Sequence, residues 1–250
     1  MFDLSKPWPL GLNGQNWGRY AAGFVLALVA VGFFDHSLSV MANSQSRDVL
    51  GFFAEVTRWG ESDWLLYPSA TLLALSAAAI WVVRGRMLKL ALIEVLEVFA
   101  FIFVGIGLPG LVANILKRVI GRGRPELFGS VGTLGFHPFA NSYVYESFPS
   151  GHTTTAFATA AVLGFLAPRW YGLGLVYAVA VGASRLVLGV HYPTDVLTGV
   201  VMGTLGAYAV RNAFAARGLG FRIKPDGRIV QRPAMAARRL LRQPQARAAR

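Results

Sequence analysis

Six apolar segments separated by short polar stretches constrain the fold of this chain more than any other feature. A membrane-spanning helix needs about 20 mostly apolar residues. Hydrophobic residues make up 54% of the 250 residues and charged residues 14%, which excludes a disordered chain and an ordinary cytosolic enzyme. We therefore predict an all-α bundle of six transmembrane helices at residues 20–38, 64–83, 90–116, 153–168, 170–189 and 194–213.

The uneven distribution of the net charge of +12 predicts the orientation. Lys and Arg favour cytoplasmic loops, and most of them fall on one side when the N-terminus is placed inside. Both termini are then cytoplasmic. We expect an interfacial N-terminal segment (1–19), a membrane domain (20–213) and a basic cytoplasmic tail (214–250). The tail is expected to be mobile or to lie on anionic lipid, in preference to binding nucleic acid.

The stretch from Lys117 to Arg124 is the exception to this charge pattern, because four cations lie on the predicted outer side. Inverting the topology would place the Arg-rich tail outside, so a functional role is the better interpretation. Two further polar clusters also fall at predicted outer helix ends, and alternating topology brings all three to one face of the membrane. The clusters are residues 117–125, 149–152 and 184–195.

The residue types in these clusters favour binding of a multiply charged oxyanion such as phosphate. Lys117, Arg124 and Arg185 supply positive charge, and guanidinium groups pair with phosphate oxygens. Helix N-termini add backbone N–H groups that attract anions. Ser150 is placed to cap one such helix, and Gly151 allows close approach of an anion to the backbone.

Two histidines in the same clusters indicate phosphoryl chemistry. A neutral imidazole can attack phosphorus, and a protonated one can donate to a leaving oxygen. His191 and His152 are the candidates, and Asp195 lies one helical turn after His191, where a carboxylate can orient its ring. The absence of cysteine excludes a thiolate zinc site and a cysteine nucleophile.

The spaced motifs Lys-x6-Arg-Pro, Pro-Ser-Gly-His and Ser-Arg-x5-His-x3-Asp resemble those of the type 2 phosphatidic acid phosphatase superfamily. The resemblance implies a metal-independent membrane phosphatase without a cofactor. It implies that His191 is the nucleophile, forming a phosphohistidine, and that His152 protonates the leaving group. It also implies that the phosphate is held by Lys117, Arg124, Ser150, Gly151, Arg185 and Ser184.

The expected partner is a phosphorylated lipid in a bacterial inner membrane, with the site facing the periplasm. Phosphatidylglycerol phosphate, phosphatidic acid, undecaprenyl pyrophosphate and lipid A fit the motifs equally. A lipid phosphotransferase using the same site and a non-catalytic lipid-phosphate-binding protein stay open as alternatives. An intramembrane serine protease is disfavoured, because the Gly-x-Ser-Gly context is missing around Ser150.

Gly105, Gly107 and Gly110 form a G-x-G-x-x-G pattern inside an apolar segment. A dinucleotide fingerprint needs a preceding strand and a following helix. We interpret the pattern instead as close helix packing with a break at Pro109.

Three other features remain secondary. Gly199 and Gly203 have the spacing of a helix-packing pair. Glu94 and Glu97 are acids within an apolar segment, which is a functional signal by default, although we expect them near the inner interface. His137 lies in the loop 126–148, where it is expected to face solvent or a headgroup.

Overall fold

The computed structural model describes residues 3–43 and 45–242. Within these residues the chain forms ten α-helices, several short 3-10 turns and one two-stranded antiparallel hairpin. The elements are α1 (Trp17–Gly32), α2 (Asp35–Asn43), α3 (Arg47–Arg58), α4 (Asp63–Val82), α5 (Arg86–Ile120), α6 (Phe128–Val131), α7 (Gly151–Leu166), α8 (Tyr171–Val187), α9 (Pro193–Ala216), β1 (Phe221–Ile223), β2 (Ile229–Gln231) and α10 (Met235–Arg242).

Six of these helices, α1, α4, α5, α7, α8 and α9, overlie the six apolar segments, so the predicted all-α bundle is confirmed. Length and hydropathy identify three helical stretches of the described chain that can cross a membrane: Arg47–Val82, Arg86–Ile120 and Pro168–Val187. A fourth is added if α1 and α2, which meet at a bend of 49°, form one span. The count of six spans therefore stays a prediction.

Helix α7 lies at the centre of the bundle, packed against α5, α8 and α9. Its contact with α9 depends on two small residues. A Cβ on Gly203 would lie 2.2 Å from the Thr154 carbonyl oxygen, and one on Gly199 would lie 2.8 Å from that of Ser150. The predicted packing role of this glycine pair is confirmed, and it lets the two backbones approach closely.

The predicted break at Pro109 is wrong, because α5 runs from Arg86 to Ile120 without interruption. The proline ring faces Gly206 of α9, where a Cβ would lie 2.6 Å from Pro109 Cγ. Proline is tolerated inside such helices when the surroundings leave it space. Gly105 has the predicted packing role, since a Cβ there would lie 2.8 Å from Val162 Cγ2.

The N-terminal segment and the C-terminal hairpin pack together at one end of the bundle. Arg211, buried near the end of α9, donates to the carbonyl oxygen of Leu4. The Ile229 amide donates to the Ser5 carbonyl oxygen at 2.7 Å. Ile229 and Phe221 are buried in the main hydrophobic core. The hairpin is therefore fixed on the bundle and is not a mobile part of the tail. The expected contact of the tail with anionic lipid stays a prediction, and residues 243–250 lie outside the described residues.

Glu94 and Glu97 connect α5 to this C-terminal segment. The two carboxylate oxygens of Glu94 accept hydrogen bonds from the amides of Ala236 and Ala237, each at 3.0 Å. These amides belong to the first turn of α10, where a carboxylate is favourable. Glu97 Oε2 accepts from the Gly220 amide at 2.8 Å. Both acids therefore have a structural role in anchoring the tail to the bundle.

We expect Gly203→Ala to lower the midpoint of thermal unfolding in detergent, because the new methyl group would force α7 and α9 apart. Overpacking of this kind costs about 1–3 kcal/mol. Gly23→Ala in α1 is the matched control, since its Cβ would meet nothing within 4 Å. Equal midpoints for the two variants would contradict the close packing.

Candidate active site

The three polar clusters lie at the end of the bundle opposite the N-terminal segment. Asp195 is in the first turn of α9, whereas Arg211 is near its last turn. The Ser150 amide, just before α7, donates to the Asp195 carbonyl oxygen at 3.1 Å. Lys117, in the last turn of α5, reaches the same place beside Gly151. The helix ends thus meet around one site.

His191 and Asp195 form the buried centre of this site. His191 lies in the connection between α8 and α9, with 1% of its side chain exposed. Its Nδ1 is 3.5 Å from Asp195 Oδ2, at the outer limit of a hydrogen bond, and has no closer partner in the described chain. Asp195 Oδ2 also accepts from Ser147 Oγ at 2.6 Å and from the Tyr192 amide at 2.8 Å. The carboxylate is therefore fixed in place.

A buried ion network holds the other oxygen of Asp195. Arg122 Nη1 is 2.5 Å from Asp195 Oδ1, and Arg122 Nη2 is 2.8 Å from Asp35 Oδ2. Asp35 also accepts from the amide and the hydroxyl of Thr194, at 3.0 and 2.7 Å. At most 5% of the Arg122, Asp35 or Asp195 side chain is exposed. The network thus joins the start of α2, the loop after α5 and the start of α9.

Arg122 and Asp35 are components of the site that the sequence motifs did not indicate. Arg122 was grouped with the other cations of its cluster because it falls at an unspecified position of the first motif. One available signal was Asp35 itself, an acid at the end of an apolar segment, which requires a buried partner.

The N-terminus of α7 has the features of an anion site. Ser150 is fully buried, and its Oγ caps the helix by accepting from the Thr153 amide at 3.4 Å. A Cβ on Gly151 would lie 3.2 Å from Lys117 Nζ. Glycine at this position therefore leaves space for the ammonium group beside the free amides of the helix.

Two arginines complete the positive charge and differ in their freedom. Arg124 stacks on the Tyr143 ring at 3.7 Å and donates from Nε, Nη1 and Nη2 to backbone carbonyls. Of the five N–H groups of a guanidinium, two remain available. Arg185 donates from Nη1 to Thr57 Oγ1, and its buried Nε has no partner in the described chain. Both side chains can therefore still donate to an anion.

Ser184 is the predicted site residue that the structure does not connect to the others. It is buried in α8, and its Oγ donates to the Val181 carbonyl oxygen of the same helix at 2.6 Å. His137 is exposed, with its ring 5.2 Å from that of Tyr145.

Burial and the surrounding cations keep both site histidines neutral. Burial, opposed by Asp195, lowers the pKa of His191 to about 4. Burial and then the charge of Arg185 lower the pKa of His152, which precedes the fourth predicted span, to about 3. An anion bound among these cations would raise the pKa of His152.

Within the described residues, no group of three His, Cys, Asp or Glu side chains is arranged to hold a metal ion.

Comparison with known proteins places this arrangement in a family. The chain is 37% identical over 172 residues to the lipid A 1-phosphatase of Rhizobium johnstonii, covering 69% of this chain and 70% of that protein. The sequence profile of the PAP2 superfamily matches residues 98–219. This chain belongs to the PAP2 superfamily. The predicted resemblance is therefore confirmed.

Other relatives in the superfamily include the undecaprenyl-diphosphatase of Sulfolobus acidocaldarius, 34% identical over 95 residues, or 38% of this chain and 44% of that one. The crystal structure of the transmembrane PAP2-type phosphatidylglycerolphosphate phosphatase of Bacillus subtilis superposes with a TM-score of 0.52. It is 26% identical and covers 78% of this chain and 94% of its own. The apolar helices and the similarity to transmembrane PAP2 proteins show that this chain is an integral membrane protein.

We expect Arg122→Ala to destabilise the protein strongly, because it would leave Asp35 and Asp195 buried without a counter-charge. Breaking a buried pair in this way costs about 3–5 kcal/mol. Arg118→Ala is the control, since Arg118 is 61% exposed and 3.6 Å from Glu146, and such pairs contribute about 0–1 kcal/mol. Comparable unfolding midpoints for the two variants would contradict the role of the network.

The His191 imidazole is expected to stay neutral at pH 7 and to take up a proton only as the pH falls towards about 4. The chain has 4 histidines, so an NMR titration of isotope-labelled histidine resolves the signals individually. His191→Ala assigns the signal by removing it. A midpoint near the usual value of about 6.5 would show that the buried environment is wrong.

Proposed function

We propose that this PAP2 protein is a metal-independent lipid phosphatase that cleaves a phosphate monoester or a pyrophosphate through a phosphohistidine on His191. One observation carries the proposal. A buried histidine faces a fixed carboxylate at 3.5 Å, in a site where buried arginines retain unused donors. Anion binding alone requires no such pair, so the arrangement favours catalysis over a binding protein.

Substrate binding in this proposal neutralises the phosphate charge before any bond changes. The ammonium of Lys117 and the remaining N–H groups of Arg124 and Arg185 contact the phosphate oxygens. The free amides at the start of α7, beside Ser150 and Gly151, add donors and a positive dipole end. Such positioning and charge stabilisation provide most of the rate enhancement in phosphoryl transfer.

The chemical steps use the two histidines in turn. His191 Nε2 attacks phosphorus in line, and the bond from phosphorus to the lipid oxygen breaks. His152, protonated once the bound phosphate raises its pKa, donates its proton to that oxygen. It then takes a proton from the water that cleaves the phosphorus–nitrogen bond and releases phosphate. Asp195 accepts from Nδ1–H of His191 throughout, at a distance expected to shorten in the complex.

The substrate that we propose first is lipid A carrying a 1-phosphate. The support is the similarity over two thirds of the chain to a protein named lipid A 1-phosphatase. Undecaprenyl pyrophosphate, phosphatidylglycerol phosphate and phosphatidic acid remain substrates to be compared. The shorter match to an undecaprenyl-diphosphatase supports the first of these three.

We also propose the orientation predicted from charge, in the inner membrane with the site in the periplasm. The N-terminal segment, the hairpin and α10 share the end of the bundle opposite the site. This end carries the Arg-rich residues that favour the cytoplasm. Six spans, a membrane domain at 20–213 and the tail at 214–250 are parts of this proposal.

The test is phosphate release by the purified protein in detergent, with EDTA present, from the four lipid classes. We expect release to survive EDTA, to fall about 10⁴-fold or more in His191→Ala and to fall about 10²–10⁴-fold in His152→Ala. His137→Ala, which alters an exposed histidine, is the control and should retain activity.

The other outcomes are also informative. Near wild-type activity of either His191→Ala or His152→Ala would disprove the mechanism. Transfer of labelled phosphate to a second lipid, without release to water, would identify a phosphotransferase. Tight phosphate binding without turnover of any lipid would favour a binding protein.

A further inference from the structure

A cavity of about 410 Å³ opens directly from the proposed phosphate site. It lies between α4, α5 and the start of α7, and Lys117 and His152 line one end of it. A substrate whose phosphate contacts these two residues can place its next atoms in this cavity. The apolar side of the wall is formed by Leu66, Ile106 and Leu111, and the polar side by Glu61, Asp63, Asn114 and Thr155.

The polar side of this cavity has unused hydrogen-bonding groups. Thr155 is 6% exposed, yet its hydroxyl has no hydrogen-bond partner in the described chain. Gly110 faces it and leaves the space open, since a Cβ there would lie 3.6 Å from Thr155 Oγ1. The side chains of Glu61, Asp63 and Asn114 likewise make no hydrogen bond or ion pair with described residues. Glu61, Asp63 and Asn114 are exposed at the cavity, so an occupant with matching polar groups gains hydrogen bonds there in exchange for those to water.

The charge of the cavity is opposite to that of the phosphate site. Ionised Glu61 and Asp63 only accept hydrogen bonds. They favour an occupant that donates from hydroxyl or amide groups and repel one that carries further negative charge. In a lipid diphosphate, the group next to the reacting phosphate is a second phosphate. In a sugar 1-phosphate, it is a ring with hydroxyl and amide N–H donors.

We propose that this cavity is the subsite for the group esterified to the phosphate, and that Glu61, Asp63 and Thr155 select a phosphorylated sugar over a lipid diphosphate. The proposal rests on the proposed function, because it requires the phosphate to lie on Lys117 and His152. Attraction of the sugar donors and repulsion of a second phosphate both contribute to such selection. The apolar wall then faces the chains of the lipid.

The acids could instead have a purely structural role, which would lead to a different experimental result. Asp63 lies in the first turn of α4, where an acid stabilises the helix. If this were its only role, Asp63→Asn would lower stability without changing the preference between substrates. The ratio of kcat/KM for a phosphorylated sugar lipid to kcat/KM for a lipid diphosphate therefore separates the structural role from the selective one.

The experiment compares the double variant Glu61→Gln, Asp63→Asn with the wild type. The probes are lipid A bearing a 1-phosphate and undecaprenyl pyrophosphate, presented in the same detergent micelles. We expect the ratio of kcat/KM for lipid A to that for the pyrophosphate to fall about tenfold or more, which corresponds to about 1.4 kcal/mol. The matched control is Asp48→Asn, Glu55→Gln, which removes two exposed acids of α3 that do not line the cavity.

Thr155→Val is the second variant, because it removes the hydroxyl while keeping the shape of the side chain. We expect it to lower kcat/KM for lipid A and to leave that for the pyrophosphate unchanged. If the double variant fails to fold, as judged by its unfolding midpoint, Thr155→Val alone tests the proposed subsite. Ratios equal to those of the control, or shifted towards lipid A, would overturn the proposal.

Binding measurements keep this test separate from that of the proposed function. Titration calorimetry with N-acetylglucosamine 1-phosphate, which has the amide N–H, and with pyrophosphate requires no turnover. We expect the wild type to prefer the sugar phosphate and the double variant to lose that preference. Lack of phosphate release from every lipid, with the preference intact, would reject the proposed hydrolysis and retain the subsite. Phosphate release by the wild type, with a double variant that still prefers the sugar phosphate, would reject the subsite and retain the proposed hydrolysis.

Discussion

The buried ion network of Asp35, Arg122 and Asp195 is the constraint on which the rest of the site depends. Removing three charges from water is costly, and a buried pair often adds little net stability. Its contribution is geometric, because contacts of 2.5 and 2.8 Å fix the start of α9 against the loop after α5 and the bend between α1 and α2. The two carboxylates and one guanidinium leave a net negative charge beside His191. In the proposed mechanism, that charge is balanced when the imidazole becomes cationic.

The close approach of α7 and α9 places the N-terminus of α7, the candidate anion site, next to the ion network. Gly199 and Gly203 allow the helix backbones to touch, so the Ser150 amide reaches the Asp195 carbonyl oxygen at 3.1 Å. Two helix N-termini therefore point towards one place, where their dipoles favour the same anion. The packing of small residues deep in the bundle thus determines the electrostatics at its end.

The sequence was sufficient to predict the helices and the motif residues, because apolar runs and fixed spacings are local signals. It was insufficient for Arg122 and Asp35, whose pairing joins residues far apart in the chain. The break at Pro109 was wrong because a neighbouring helix supplies space at Gly206. The hairpin was missed because strands of three residues carry little pattern of their own. In each case, the deciding partner was a residue of another element.

The opposite charges of the phosphate site and the adjoining cavity favour one direction of substrate binding. In the proposed function, the cations Lys117, Arg124 and Arg185 attract every phosphorylated lipid, so they provide affinity without distinguishing between substrates. In the proposed subsite, the carboxylates of Glu61 and Asp63 face the group that is attached to that phosphate. A sugar gains hydrogen bonds there, whereas a second phosphate meets like charge. Under the two proposals, affinity and selectivity therefore depend on different residues of one continuous site.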